Sequence, residues 1–255
     1  MKKERIRMKK AVKIFAAVVL FGIALTSTVS ATTILGTADI ENHNNGLSDI
    51  GRLWGGGLNG AFCYTGLYSW TNMGGSDLGA EVPNWGFCIE LTQSPSNGPV
   101  NVIPLNEAPL PADALYGTPM GVTKADYIRE LWSRDFDPNW VTSPTSTTKK
   151  LAEAFGAAVW EIIYETNGTP ATWNVSTGTG FHASYIEQAA TANAWLNSLT
   201  GKGPFAEDLY AISPTDARPG QDYLVQIPDG QVPEPATICL LGLGALSLIR
   251  RKRSA

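Results

Sequence analysis

The stretch "KKLAEAFGAAVWEIIYE" (Lys149–Glu165) decides the fold. Leu151, Phe155, Ala158 and Ile162 recur at helical spacing, with Val159 and Ile163 beside them. The pattern predicts a helix, and Asn167-Gly168 ends it. Gly156 stands in mid-helix, where glycine costs about 1 kcal/mol relative to alanine. A close approach to a neighbouring strand would account for it. The candidate strand is "WGFCIEL" (Trp85–Leu91), a short apolar run that reads as buried.

Working outward, "TKADYIRELW" predicts a second helix, with Thr123 as N-cap and Asp126 three residues on, close to a capping box. Tyr127, Ile128 and Leu131 share one face of it. A third helix is expected over Ser184–Leu199, with Ile186, Ala189, Ala190, Asn193 and Leu196 in phase, although Asn193 is polar. Before the helices, "RLWGGGLNGAFCYTGLYSWTNMGGSDLG" alternates short aromatic and β-branched runs with Gly and Asn breaks, which predicts strands and turns. "VNVIPL" (Val100–Leu105), "DLYAIS" and "DYLVQI" add further strands. There is no repeat of 20–50 residues and no long linker. The expected fold is one α+β domain. Its strands are mostly antiparallel, in a sandwich- or barrel-like arrangement, with an inserted helical segment.

Both ends of the chain differ from this body. Lys2, Lys3, Arg5, Arg7, Lys9, Lys10 and Lys13 precede an apolar run, Ile14–Leu25, and then Val29-Ser30-Ala31. That order describes a secretory signal peptide over residues 1–31, cut by signal peptidase after Ala31. At the other end, Val232-Pro233-Glu234-Pro235 leads into fourteen apolar residues, Ala236–Ile249, and then Arg250, Arg251, Lys252 and Arg253. As a helix the run reaches about 21 Å, short of a bilayer core of about 30 Å. Its basic end keeps the C-terminus cytoplasmic. The expected division is residues 1–31, 32–231 and 232–255.

Without its ends the body holds eight basic and 21 acidic residues, a formal charge of −13. Such a surface repels nucleic acid and anionic lipid. His43 and His182 are the only histidines, and no nucleophile elbow, zinc-protease motif or P-loop is present. Asp135, Asp137 and Asn139 open like a calcium loop, but Trp140 replaces its Gly and Ser146 its Glu, so a solvated turn is expected. No metal, cofactor or catalytic residue is expected. Cys63 and Cys88 leave two readings open, a disulfide or small buried hydrophobes. Of eight Trp residues, Trp70, Trp140 and Trp173 lie in Gly/Asn/Thr-rich segments and are the candidates for an exposed sugar-stacking platform.

Two resemblances follow. The tail, with its Pro-Glu-Pro, short hydrophobic helix and basic end, resembles the PEP-CTERM sorting signal of exported bacterial proteins. The resemblance implies processing by an exosortase-type enzyme after transient anchoring in the inner membrane. It also implies a place in the envelope or exopolysaccharide matrix of a Gram-negative bacterium. The body resembles the thioester domains of bacterial surface proteins, through Cys88-Ile89-Glu90 and Ala158-Val159-Trp160-Glu161-Ile162. In that family Cys joins a Gln side chain, and a partner's amine opens the bond. The resemblance places the Gln four residues before Trp160, where this chain has Gly156, which carries no acyl group. Gln93 and Gln188 are the nearby replacements, both out of register. The expectation is therefore a non-enzymatic exported surface protein of degenerate thioester-type fold. The alternatives are a carbohydrate-binding module and a thioester adhesin acting through Cys88.

Overall fold

The computed structural model describes residues 32–43, 47–74, 77–78, 81–108, 119–215 and 220–228. The predicted signal peptide with Ala31, and the tail from Val232 to Arg253, lie outside them. Eight antiparallel strands form the frame: β1 (Gly36–His43), β2 (Ser48–Gly55), β3 (Leu58–Asn72), β4 (Trp85–Cys88), β5 (Gly98–Pro104), β6 (Phe181–Ser184), β7 (Leu209–Pro214) and β8 (Tyr223–Gln226). Their order is β1-β5-β7-β8-β4-β3-β2-β6, and β1 also pairs with β3. That extra pairing, Ile40 with Asn72 through His43 with Ser69, closes six strands into a barrel. A closed barrel leaves no exposed edge among those six. β3 makes this possible by its length of 15 residues. Its first half pairs with β2 and its second half with β4 and β1. β2 and β6 continue outward from the first half as a wing.

The helices are α1 (Val122–Asp135), α2 (Asn139–Thr142), α3 (Ser146–Tyr164) and α4 (Ala189–Ser198). α3 is the predicted central helix. Thr145 caps it: its hydroxyl accepts the Thr148 N–H, and the Thr148 hydroxyl bonds back to the Thr145 N–H. From Ala152 to Tyr164 every residue of α3 is buried. It packs against β2, β3, β6, α1 and α4, which explains a helix apolar on most faces. No helix among the described residues is long and apolar enough to cross a membrane.

Three local expectations shift. α1 starts at Val122, and its N-cap is Gly121 at φ 83° rather than Thr123. The third helix is shorter than expected, because Phe181–Ser184 pairs with β2 as β6 before α4 begins. Asn193 belongs on the inner face of α4, where its Oδ1 accepts the Val175 N–H at 2.8 Å. Trp70, Trp140 and Trp173, the candidates for a sugar-stacking platform, are all buried and form no such platform. Trp140 and Trp195 pack with Phe155, and Trp132 with Phe87, Phe136 and Phe155. Trp70 lies in β3 and Trp140 in α2, so the mixed Gly/Asn/Thr composition nearby does not mark exposure of the indole.

Candidate functional site

Cys88 ends β4 in the barrel wall and is almost fully buried. Its strand partner is Tyr223 of β8. Two residues before Tyr223 stands Gln221, 133 positions away from Cys88 in sequence. The Gln221 amide Nε2 lies 2.6 Å from Cys88 Sγ and also donates to the Glu90 carbonyl at 3.2 Å. The second bond fixes which end of the amide faces the sulfur, since two oxygens would repel. The thiol donates to the same Glu90 carbonyl at 2.6 Å. Both sulfur contacts are shorter than the about 2.7–3.2 Å of an N–H···O bond, although sulfur is the larger atom. The Gln221 carbonyl oxygen has no hydrogen-bond partner.

The surroundings are dry and acidic. Burial pushes the Cys88 thiol well above its ordinary range. The backbone bond to Glu90 opposes this, the Glu90 charge adds to it, the Trp160 indole opposes it and Asp222 adds to it. The Trp160 N–H itself has no acceptor at bonding geometry. Asp222 is pushed up to about 7, by burial first, against its bond to Ser213 and with the Glu90 charge. Burial also raises Glu90, whose carboxylate accepts from Gln93 at 2.7 Å and Thr92 at 3.3 Å. Two buried carboxyls of raised pKa beside a thiol of raised pKa favour neutral groups throughout.

A cavity of about 170 Å³ reaches Gln221, and Cys88 lies behind its wall. Cys63, Tyr64, Tyr68, Glu90, Trp160 and Gln221 are among its lining residues. Cys63 and Cys88 are both free, so the disulfide reading is not realised.

Of the three thioester-motif positions, Cys88 and Trp160 meet at this site and Gly156 does not. A Cβ on Gly156 would lie 3.0 Å from the Gly66 nitrogen and 3.3 Å from its Cα, with Phe87 next at 3.6 Å. The close approach is therefore to β3, and the strand bearing Cys88 contributes only a side-chain neighbour. Gly66 sits at φ 113°, and a Cβ there would press on the backbone of Glu153. Helix and strand touch backbone to backbone, which only paired glycines permit. Gln93 is turned to Glu90, and Gln188 is the N-cap residue of α4. Gln221 is the residue sequence reasoning missed. Its signal was present in "GQDYLVQI": a glutamine entering a buried strand. Only the β4–β8 pairing makes that strand the neighbour of Cys88.

Asp137 Oδ1 accepts the Asn139 N–H at 2.9 Å, a local turn as expected. Among the described residues no group of three or more His, Cys, Asp or Glu is placed to hold a metal ion.

Comparison with known families matches residues 231–253 to the PEP-CTERM protein-sorting motif. The chain carries a PEP-CTERM sorting motif. The match covers Val232, Pro233, Glu234, Pro235 and the basic run Arg250–Arg253. The PEP-CTERM motif signals export to the cell envelope and processing by an exosortase-type enzyme. Comparisons with curated proteins and with solved structures gave no match.

Proposed function

We propose that this exported protein stores an internal thioester between Cys88 and Gln221 and uses it once, to attach itself covalently to an amine-bearing partner. The observation that carries the reading is the Gln221 amide held 2.6 Å from Cys88 Sγ, with Gln221 itself lining a cavity. Bond formation needs only the two side chains. The Cys88 sulfur attacks Gln221 Cδ, the C–N bond breaks, and the amide nitrogen leaves as ammonia with the thiol proton. The product is neutral, which suits a site that disfavours a thiolate.

The stored bond is an electrophile shielded from bulk water, since Cys88 and Gln221 are both buried. A primary amine entering the cavity attacks Cδ, the C–S bond breaks, and an amide forms. One amine proton ends on the Cys88 sulfur. Nothing is regenerated, so the protein is a single-use coupler and not an enzyme. Cysteine and glutamine of suitable placement replace the glycine-disabled register inferred from Gly156. The test is capture of a fluorescent primary amine by native protein. Labelling that survives denaturation and disappears in Cys88→Ala and Gln221→Ala is expected. Equal labelling of the native protein and both variants would exclude the reading.

A further inference from the structure

The wing formed by β6, β2 and β3 has one face covered and one open. α3 packs on the covered face, where Gly51 and Leu53 are buried. The alternate residues of β2 point the other way. Register sets Arg52 opposite Phe62 on β3 and Ser184 on β6, Ile50 opposite Tyr64, and Trp54 opposite His182. Phe62 and Tyr185 are each 67% exposed, the largest apolar exposure among the described residues.

These side chains are braced. The Phe62 and Tyr185 rings lie 6.4 Å apart and within 22° of parallel. The Arg52 guanidinium stands 5.0 Å from the Trp54 ring centre and 5.7 Å from that of Phe62, while its Nε donates to the Gly60 carbonyl. Trp54 stacks in turn on His182, at 4.8 Å and 11°. Tyr185 has a φ of 68°, the one positive φ of a non-glycine among the described residues. A bulky residue in that region is strained. Here the strain holds an exposed ring beside Phe62, where folding gains little from it.

We infer that this face binds a neutral polysaccharide, with sugar rings stacking on Phe62 and Tyr185. The chemistry of the rim selects the ligand. A shallow depression of about 380 Å³ is lined by Asp49, Ile50, Phe62, Tyr185 and Glu187. Carboxylates accept from sugar hydroxyls and the Arg52 guanidinium donates to them, while the C–H faces of the rings meet the aromatic groups. Glu187 is tied to Lys150 at 2.5 Å and so stays in place. The two rim carboxylates and a body charge of −13 disfavour uronic-acid polymers. The face is separate from Cys88 and does not depend on the thioester.

Affinity electrophoresis of the exported protein tests this, in gels containing glucan, mannan or galactan, or a polyuronate. At least one neutral polymer retards the protein, and the polyuronate does not. Phe62→Ala and Tyr185→Gly each weaken retardation at least tenfold, and Cys88→Ala leaves it unchanged. Tyr185→Gly also keeps or raises Tm, because glycine accepts the backbone angle. Absence of retardation in every neutral gel, stronger retardation by the polyuronate, or full retention by both variants would overturn the inference. So would a Tyr185→Gly protein of lowered Tm, which would make the residue structural.

Discussion

Gly156 is the residue that the sequence marked and that the structure explains differently. In sequence it looks like a lost functional side chain. In the fold it is half of a Gly156–Gly66 contact that seats α3 on β3. Two effects compete in Gly156→Ala. Helix propensity favours alanine by about 1 kcal/mol. The new Cβ, 3.0 Å from the backbone nitrogen of Gly66, forces two packed elements apart, and overpacking of that kind costs about 1–3 kcal/mol. Backbone cannot swing away as a side chain can, so the clash wins. The expected outcome is net destabilisation by about 1–2 kcal/mol, read as a lower urea midpoint; a raised midpoint would contradict the contact. Gly156→Gln, which restores the letter of the family motif, is expected to destabilise further. It adds no amine reactivity, because the position does not face Cys88. The reading of Cys88 and Trp160 from sequence needed no long-range information, since both carry local motifs. Gln221 did need it: what makes it special is a pairing across 133 positions.

Among the elements, α3 and the stretches around β2–β3, β4, β5, β7 and β8 were legible because period and turn residues agree there. β6 was not, because four residues between two helices carry no alternation long enough to detect. Within the loop between α3 and β6, one carboxylate collects both ends, while Glu161 accepts the Asn174 N–H at 2.9 Å between them. Glu165, just past the end of α3, accepts the N–H groups of Thr166, Asn167, Thr179 and Gly180 at 3.0, 2.8, 2.8 and 2.8 Å. Burial alone would raise it, but the bonds from Gly180, Asn167 and Thr179 outweigh that and hold it below the usual carboxylate range. Glu165→Ala leaves these donors unpaired at a half-buried site. A loss of about 2–4 kcal/mol is expected. Amide exchange confined mainly to residues 166–180 should accelerate most. Unchanged exchange there would show that the loop is held by something else.

On the scale of the whole molecule, buried carboxyls set the response to pH. Glu153, Glu161 and Asp222 are pushed up to about 7 and Asp135 to about 6, by burial in every case. The Asp49 charge adds to the shift at Glu153 and the Glu90 charge at Asp222. In the unfolded chain these groups titrate near 4. Between about pH 4.5 and 7 the native state therefore holds more protons than the unfolded state, and stability falls as pH rises. Glu130 and Glu165 act in the opposite sense. Burial raises each, but hydrogen bonds and, for Glu130, the Arg134 charge hold both below the usual range. Their contribution is lost as pH falls below about 4. Stability is expected to peak at about pH 4–4.5, measured as the urea midpoint across pH 3–8. A midpoint that rises steadily from pH 5 to 8 would contradict the assignment. Such an optimum also keeps Asp222 neutral beside the Cys88–Gln221 pair. The sequence pointed to mostly antiparallel strands and left sandwich and barrel both open; the long-range β1–β3 pairing decides for the barrel.

The central claim is that Cys88 and Gln221 become one covalent unit. Intact mass spectrometry of the exported protein, kept native and unreduced, reads it directly. The account predicts a mass one ammonia below that of the processed chain as its own termini define it, and no such deficit in Cys88→Ala after allowance for the substitution. A native protein at the full mass of its processed chain, with no ammonia missing, would contradict it.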